Sequence, residues 1–141
     1  RKEKKQNEAK EKIEIKRVSE REYCMGENRW YLGEDNIIYI TLVGEMDEKM
    51  AIIIKEVNIK FLNMVKEKVN VLIDLNRTGK ASPEVRKVYN ELNDHEKAGK
   101  IALFGLHPVA RVLASFVTGL SKNKNQRFFK TKDDALAWLK E

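Results

Sequence analysis

The chain carries two short, nearly unbroken apolar runs, "VNVLIDL" (residues 69–75) and "KIALFG" (residues 100–105), with one amphipathic segment between them. A run with apolar residues on both alternating faces reads as a strand covered on both sides. Two such strands joined through a helix need a crossover connection, which makes them parallel neighbours in one sheet. The segment between them has a defined start. Ser82 supplies a side-chain cap, and Pro83 stands at the first helical position, where its missing N–H is no loss. Val85, Val88, Tyr89 and Leu92 form its inner stripe, and Gly99 is placed to stop it.

Similar punctuation surrounds this unit. "RWYL", the turn "GEDN" and "IIYITLVG" predict a hairpin in which Trp30 and Tyr31 pack across the strands. Asp47 can cap a helix whose Met50, Ile53, Ile54, Val57, Phe61, Met64 and Val65 recur at helical spacing. Pro108 opens another, with Val109, Val112, Leu113, Phe116, Val117 and Leu120 on one face. An exposed end of that face, at Phe116, Val117 and Leu120, would mark a partner surface. "RFF" (residues 127–129) reads as a short last strand. Thr131 then caps a final helix with Asp133 and Asp134 near the positive end of its dipole and Ala135, Trp138 and Leu139 as its core stripe. The expected fold class is α/β: a mixed, mostly parallel sheet of about five strands, with an N-terminal hairpin and about four helices.

Ahead of this domain, taken as residues 29–141, residues 1–28 read as a charged leader or linker, disordered or helical. Its first 22 residues hold nine Lys or Arg, six Glu and few apolar anchors (Ala9, Ile13, Ile15, Val18). The chain begins at Arg1 rather than Met, which suggests the tail of a linker from an upstream domain.

The formal charge of +6 bears on partners. About half of the excess lies in the leader, and the rest is spread over helix faces. A modest cluster stands at Lys122, Lys124, Arg127, Lys130 and Lys132, and aromatics do not alternate with these bases as a base-stacking platform requires. The charge is therefore read as solvated surface, not a nucleic-acid interface. No apolar run approaches a membrane span. The single cysteine, Cys24, points to a reducing cytoplasm.

"DLNRTGKASPEVR" (residues 74–86) contains a Gly-Lys pair that invites a phosphate-loop reading, and the reading fails. GxxxxGK[ST] needs glycine at position 74, which is Asp74, and Ser or Thr at position 81, which is Ala81. G-x-G-x-x-G is absent, so no nucleotide cofactor is implied. Two histidines and one cysteine, far apart, lack the spacing of a metal site. His95 falls late in a helix, where a cation suits the dipole. His107, in "GLHPVAR", lies between a strand end and a helix start with Arg111 one turn on. That is where α/β folds bind anions, and also where a histidine caps a helix. The segment after "VLIDL" is expected to be a loop loosened by Gly79, presenting Asn76, Arg77, Thr78 and Lys80. Together with Asp74, His107 and Arg111 these form the candidate recognition surface at the C-terminal edge of the sheet.

The ending "RFFKTKDDALAWLKE", with "LVGEMDEKMA" and "VNVLIDLNRTG", resembles the STAS domains, and more particularly the SpoIIAA-like branch related to the CRAL-TRIO lipid-binding fold. The likeness runs from Arg29 to Glu141. In the anti-sigma factor antagonists of this family, a serine at a helix start after the "DL" strand is phosphorylated by a partner kinase. The resemblance implies that role for Ser82. The family's Asp-Ser-Ser-Gly run is replaced here by "KASPE", so Ser82 is either such a switch or the cap of its own helix.

These residues support three functional readings. The first is a non-enzymatic regulatory module that binds a protein partner through these loops, in the manner of an anti-sigma factor antagonist; it leaves a homodimer open. The second is a carrier or sensor holding an anionic or lipid-like small molecule between the loops and the helices. The third is a small enzyme using His107 and Arg111, which would need a carboxylate or hydroxyl at hydrogen-bond range of the imidazole.

Overall fold

The computed structural model describes residues 14–112 and 125–141. Seven strands form one sheet, ordered in space as in the chain: β1 (Lys16–Ser19), β2 (Glu22–Met25), β3 (Asn28–Leu32), β4 (Ile37–Met46), β5 (Val69–Ala81), β6 (Ala98–Phe104) and β7 (Gln126–Phe129). β1 to β4 pair antiparallel, and β4 to β7 pair parallel. Helix α1 (Glu48–Met64) joins β4 to β5, and α2 (Pro83–Asn93) joins β5 to β6. Helix α3 opens at Pro108 and is described over residues 108–112, and α4 (Lys132–Leu139) comes after β7.

The expected α/β class with a mixed sheet and four helices holds, but the count of about five strands does not. The additional pair, β1 and β2, comes from residues 16–25, inside the segment read as a disordered or helical leader. Charge concealed them. β1 is exposed along its whole length, and only Tyr23 and Met25 of β2 reach the core. Edge strands are often this polar, because charged side chains discourage pairing with other chains. Residues 1–13 lie outside the described residues, as do Leu113, Phe116, Val117, Leu120, Lys122 and Lys124.

Because each parallel strand lies beside the one before it in a single direction, right-handed crossovers carry α1 and α2 to the same face. There Ile54, Val57, Phe61, Val85, Tyr89 and Leu92 meet Trp30, Ile38, Ile40, Val71, Ile73 and Leu103 in the larger core. Burying each large side chain of this kind stabilises the fold by roughly 1.5–3 kcal/mol. Among the described residues, the helix that covers the opposite face is α4. Ala135 and Leu139 pack on Ile37, Leu72, Ala102 and Phe104, with Trp138 at the margin, 5.6 Å from Phe129.

The caps form as the residues dictate. Met50 N donates to Asp47 Oδ1 at 2.9 Å, Val85 N to Ser82 Oγ at 3.3 Å and Asp134 N to Thr131 Oγ1 at 3.3 Å. α2 stops at Asn93, not at Gly99, which lies inside β6.

The segment after "VLIDL" is not a loop. β5 continues to Ala81 because Val43, Gly44 and Met46 of β4 pair with Arg77, Thr78 and Ala81. Two register shifts place an extra residue on β5 each time, first between Asp74 and Arg77 and again between Thr78 and Ala81. Gly79, expected to loosen a loop, is instead a close-packing residue. A Cβ there would stand 3.1 Å from the Glu45 backbone N and 3.2 Å from the Gly44 carbonyl carbon.

Candidate functional site

β6 ends opposite Asp74, part-way along β5, and one side chain of β5 ties that strand to the turn beyond β6. Leu106 N donates to Asn76 Oδ1 at 2.9 Å. Asn76 N donates to Asp74 Oδ1 at 2.9 Å, a local side-chain turn that suits the first bulge. Gly105 permits the close approach, since a Cβ there would lie 2.8 Å from Ala110 Cβ.

Asn76, Lys80, His107 and Arg111 therefore gather on one exposed rim at the C-terminal edge of the parallel strands. Leu106, not singled out by the sequence, is 73% exposed among them. It lines a cleft of about 470 Å³ with His107, Arg111 and Lys130. An adjoining apolar cleft of about 460 Å³ is lined by Gly79, Lys80, Pro108 and Val109. Arg77 is exposed as well and pairs with Glu27 of the β2–β3 turn.

Two expected members of this surface sit elsewhere. Thr78 was expected to face solvent but is buried, its hydroxyl donating to Leu75 O at 2.9 Å, because the bulged register turns it inward. Asp74 is half-buried and lines a cavity on the sheet face that carries α4. Ser82 is half-buried too. Its hydroxyl accepts from Val85 N, and its own N–H donates to Met46 O at 2.9 Å.

His107 has the geometry of a cap. Val109 N donates to His107 Nδ1 at 3.1 Å, and Ala110 N donates to the His107 carbonyl at 2.9 Å. The lone pair a general base would use is thus engaged by the backbone. His95 does the same at the end of α2, its Nδ1 accepting from Lys97 N at 3.0 Å. Among the described residues no group of three His, Cys, Asp or Glu side chains comes together as metal ligands.

The α4 face presents a second concavity, of about 260 Å³, lined by Arg29, Tyr31, Tyr39, Asp74, Phe104 and Lys132 with three neighbours. Tyr31 and Tyr39 face each other across the β3–β4 hairpin with ring centroids 6.2 Å apart. The Arg29 guanidinium stands 4.9 Å from the Tyr31 centroid, and its Nε donates to Glu22 Oε2 at 2.8 Å. That bond holds the Glu22 carboxyl below the usual carboxylate range. Lys132 Nζ is 5.9 Å from the Tyr39 centroid. Tyr39 donates its hydroxyl proton to the Asp35 carboxylate; burial first, and that bond second, push its phenol up to about 12. A signal for this face was present in "IIYITLVG". Its alternate positions Tyr39 and Thr41 are less apolar than Ile38, Ile40 and Leu42, which marks one side of β4 as incompletely covered.

Residues 31–141 match the family described as Domain of unknown function (DUF7793). The chain belongs to that family. No curated protein matches it. Three solved structures share the architecture of this DUF7793 chain. One is an anti-sigma factor antagonist from Mycobacterium paratuberculosis, 18% identical, covering 81% of this chain and 93% of that one, with a TM-score of 0.62. An uncharacterised DUF3478-family protein with a SpoIIAA-like fold, from Shewanella loihica PV-4, is 17% identical over 90% of this chain and 91% of that one, with a TM-score of 0.57. The third is the anti-sigma factor antagonist SpoIIAA in its unphosphorylated form, 15% identical over 80% of this chain and 97% of that one, also at 0.57. At these identities the likeness is one of fold, and the fold is STAS-like. No helix among the described residues is long and apolar enough to cross a membrane.

Proposed function

We propose that the domain is a non-enzymatic regulatory module that binds a protein partner at the C-terminal edge of its sheet, in the manner of an anti-sigma factor antagonist. The observation that carries this reading is the Asn76–Leu106 bond, which ties β5 to the turn after β6 in one rim. On that rim an exposed leucine shares its cleft with Arg111 and Lys130, and Lys80 lines the adjoining one. An apolar anchor beside cations suits a partner with an apolar side chain in an acidic setting. The imidazole at the rim is committed to the backbone, which favours recognition over acid–base chemistry. The anti-sigma factor antagonists that share the fold support the same role. In this reading the protein is cytoplasmic, and Ser82 serves chiefly as the cap of α2.

Quantitative affinity capture with the parent and its variants tests the rim. Arg111→Glu and Leu106→Asp should each remove the same captured proteins while leaving the melting temperature nearly unchanged. Lys66→Glu, an exposed control between α1 and β5, should remove none of them. Equal capture by all four proteins would dispose of the rim as a partner surface.

A further inference from the structure

The α4 face of the sheet contains charges that the fold leaves unmatched. α4 packs chiefly on β5, β6 and β7. Beside it, Tyr31, Tyr39 and Phe104 wall the cavity of about 260 Å³. Lys132 and Asp74 line it as well. Among the described residues neither forms an ion pair, with the other or with any other group. The third charge, Arg29, is already matched by Glu22. One oxygen of Asp74 accepts from Asn76 N, and the second keeps its lone pairs for a donor.

An ammonium and a carboxylate facing one aromatic-walled space, without bridging each other, describe the complement of a molecule that carries both charges and a ring. We propose that this cavity binds a small aromatic zwitterion of the amino-acid class. Its carboxylate pairs with Lys132, its ammonium with Asp74, and its ring lies against Tyr31, Tyr39 and Phe104. A simple anion would leave Asp74 repelling it, and a simple amine would face Lys132. Only a molecule with both groups uses every charge that the site leaves free. The aromatic walls add ring-to-ring contact and an electron-rich surface near the ammonium. The space holds a few side chains' worth of atoms and suits a metabolite rather than a polypeptide.

Isothermal titration calorimetry of the chain with L-phenylalanine, L-tyrosine, 3-phenylpropanoate and phenethylamine tests the assignment. At least one of the two amino acids should bind with a dissociation constant on the order of 0.1–1 mM, as expected for a ligand of so few atoms. The two singly charged analogues should bind about tenfold more weakly, since each leaves one protein charge unanswered. Asp74→Asn should weaken the amino acid about tenfold and leave 3-phenylpropanoate bound at least as tightly as before, since the repelling carboxylate is gone. Lys132→Gln should weaken both of these and spare phenethylamine. The asparagine keeps the oxygen that accepts from Asn76 and Lys132 is exposed, so both variants should melt as the parent does. The proposal is overturned by no heat of binding from either amino acid at millimolar concentration. It is equally overturned if 3-phenylpropanoate binds as tightly as the amino acid, or if the folded variants bind the amino acid as the parent does.

Discussion

Ser82 illustrates how a residue with two readings in the sequence acquires one in the fold. Its hydroxyl accepts the Val85 N–H at 3.3 Å, which satisfies one of the orphan donors at the start of α2. Ser82→Ala should therefore lower the unfolding free energy by about 1 kcal/mol, measured by urea denaturation. Ser82→Asp keeps an acceptor and adds charge at the favoured end of the dipole, so it should restore most of that loss. If Ser82→Asp also leaves partner capture intact, the residue is a cap; loss of capture with retained stability would make it the phosphorylated switch that the family resemblance implies. At this scale the sequence was informative where the effect is local. A Ser-Pro start, Asp47 and Thr131 cap because the bonds involved span three residues. It misplaced Thr78, expected at the surface but buried, because that burial depends on a register set by another strand.

Among the elements, β5 is the one whose extent most changes the reading of the site. Local pattern stops it at Leu75, where apolar residues give way to "NRTGK". The strand continues because β4 is ten residues long and offers Val43 to Met46 as partners. Gly79 is where this pairing is tightest, with Glu45 and Gly44 backbone atoms 3.1 and 3.2 Å from the position of a Cβ. Gly79→Val should destabilise by about 1–3 kcal/mol through overpacking against the neighbouring backbone, seen as a lower melting temperature. An unchanged melting temperature would mean that β4 and β5 are not in contact there. The rim depends on the same pairing, since Asn76 reaches Leu106 only when the first bulge is held between two paired stretches.

At the scale of the whole molecule, the crossovers divide the sheet into unequal sides, one beneath α1 and α2 and the other, among the described residues, beneath α4. A tyrosine on each side should report on the integrity of the whole. Tyr39 at the α4 cavity is pushed up to about 12, and the fully buried Tyr89 is pushed up as well, in both cases first by burial. The unfolded chain releases these protons near the ordinary tyrosine value of about 10, while the folded chain still holds them. The unfolded state then binds fewer protons, so stability falls with rising pH through that window. The urea midpoint should be insensitive to these groups between about pH 7 and 9 and decline above about pH 10. Tyr39→Phe should make that decline shallower; a slope identical to the parent's would exclude any contribution from this phenol.

What the sequence determined by itself was the set of elements with their starts: two covered strands, the hairpin, the capped helices and the parallel order that crossovers enforce. Those features rest on periodicity and on bonds between near neighbours, which any isolated stretch carries. The tertiary structure decided the first two strands, β1 at the polar edge and β2 beside it, the extension of β5, the burial of Thr78, and the meeting of Asp74 with Lys132 on one side of the sheet. Each of these depends on which distant backbone pairs with which. A strand edge shows its partner only once the chain has folded onto it.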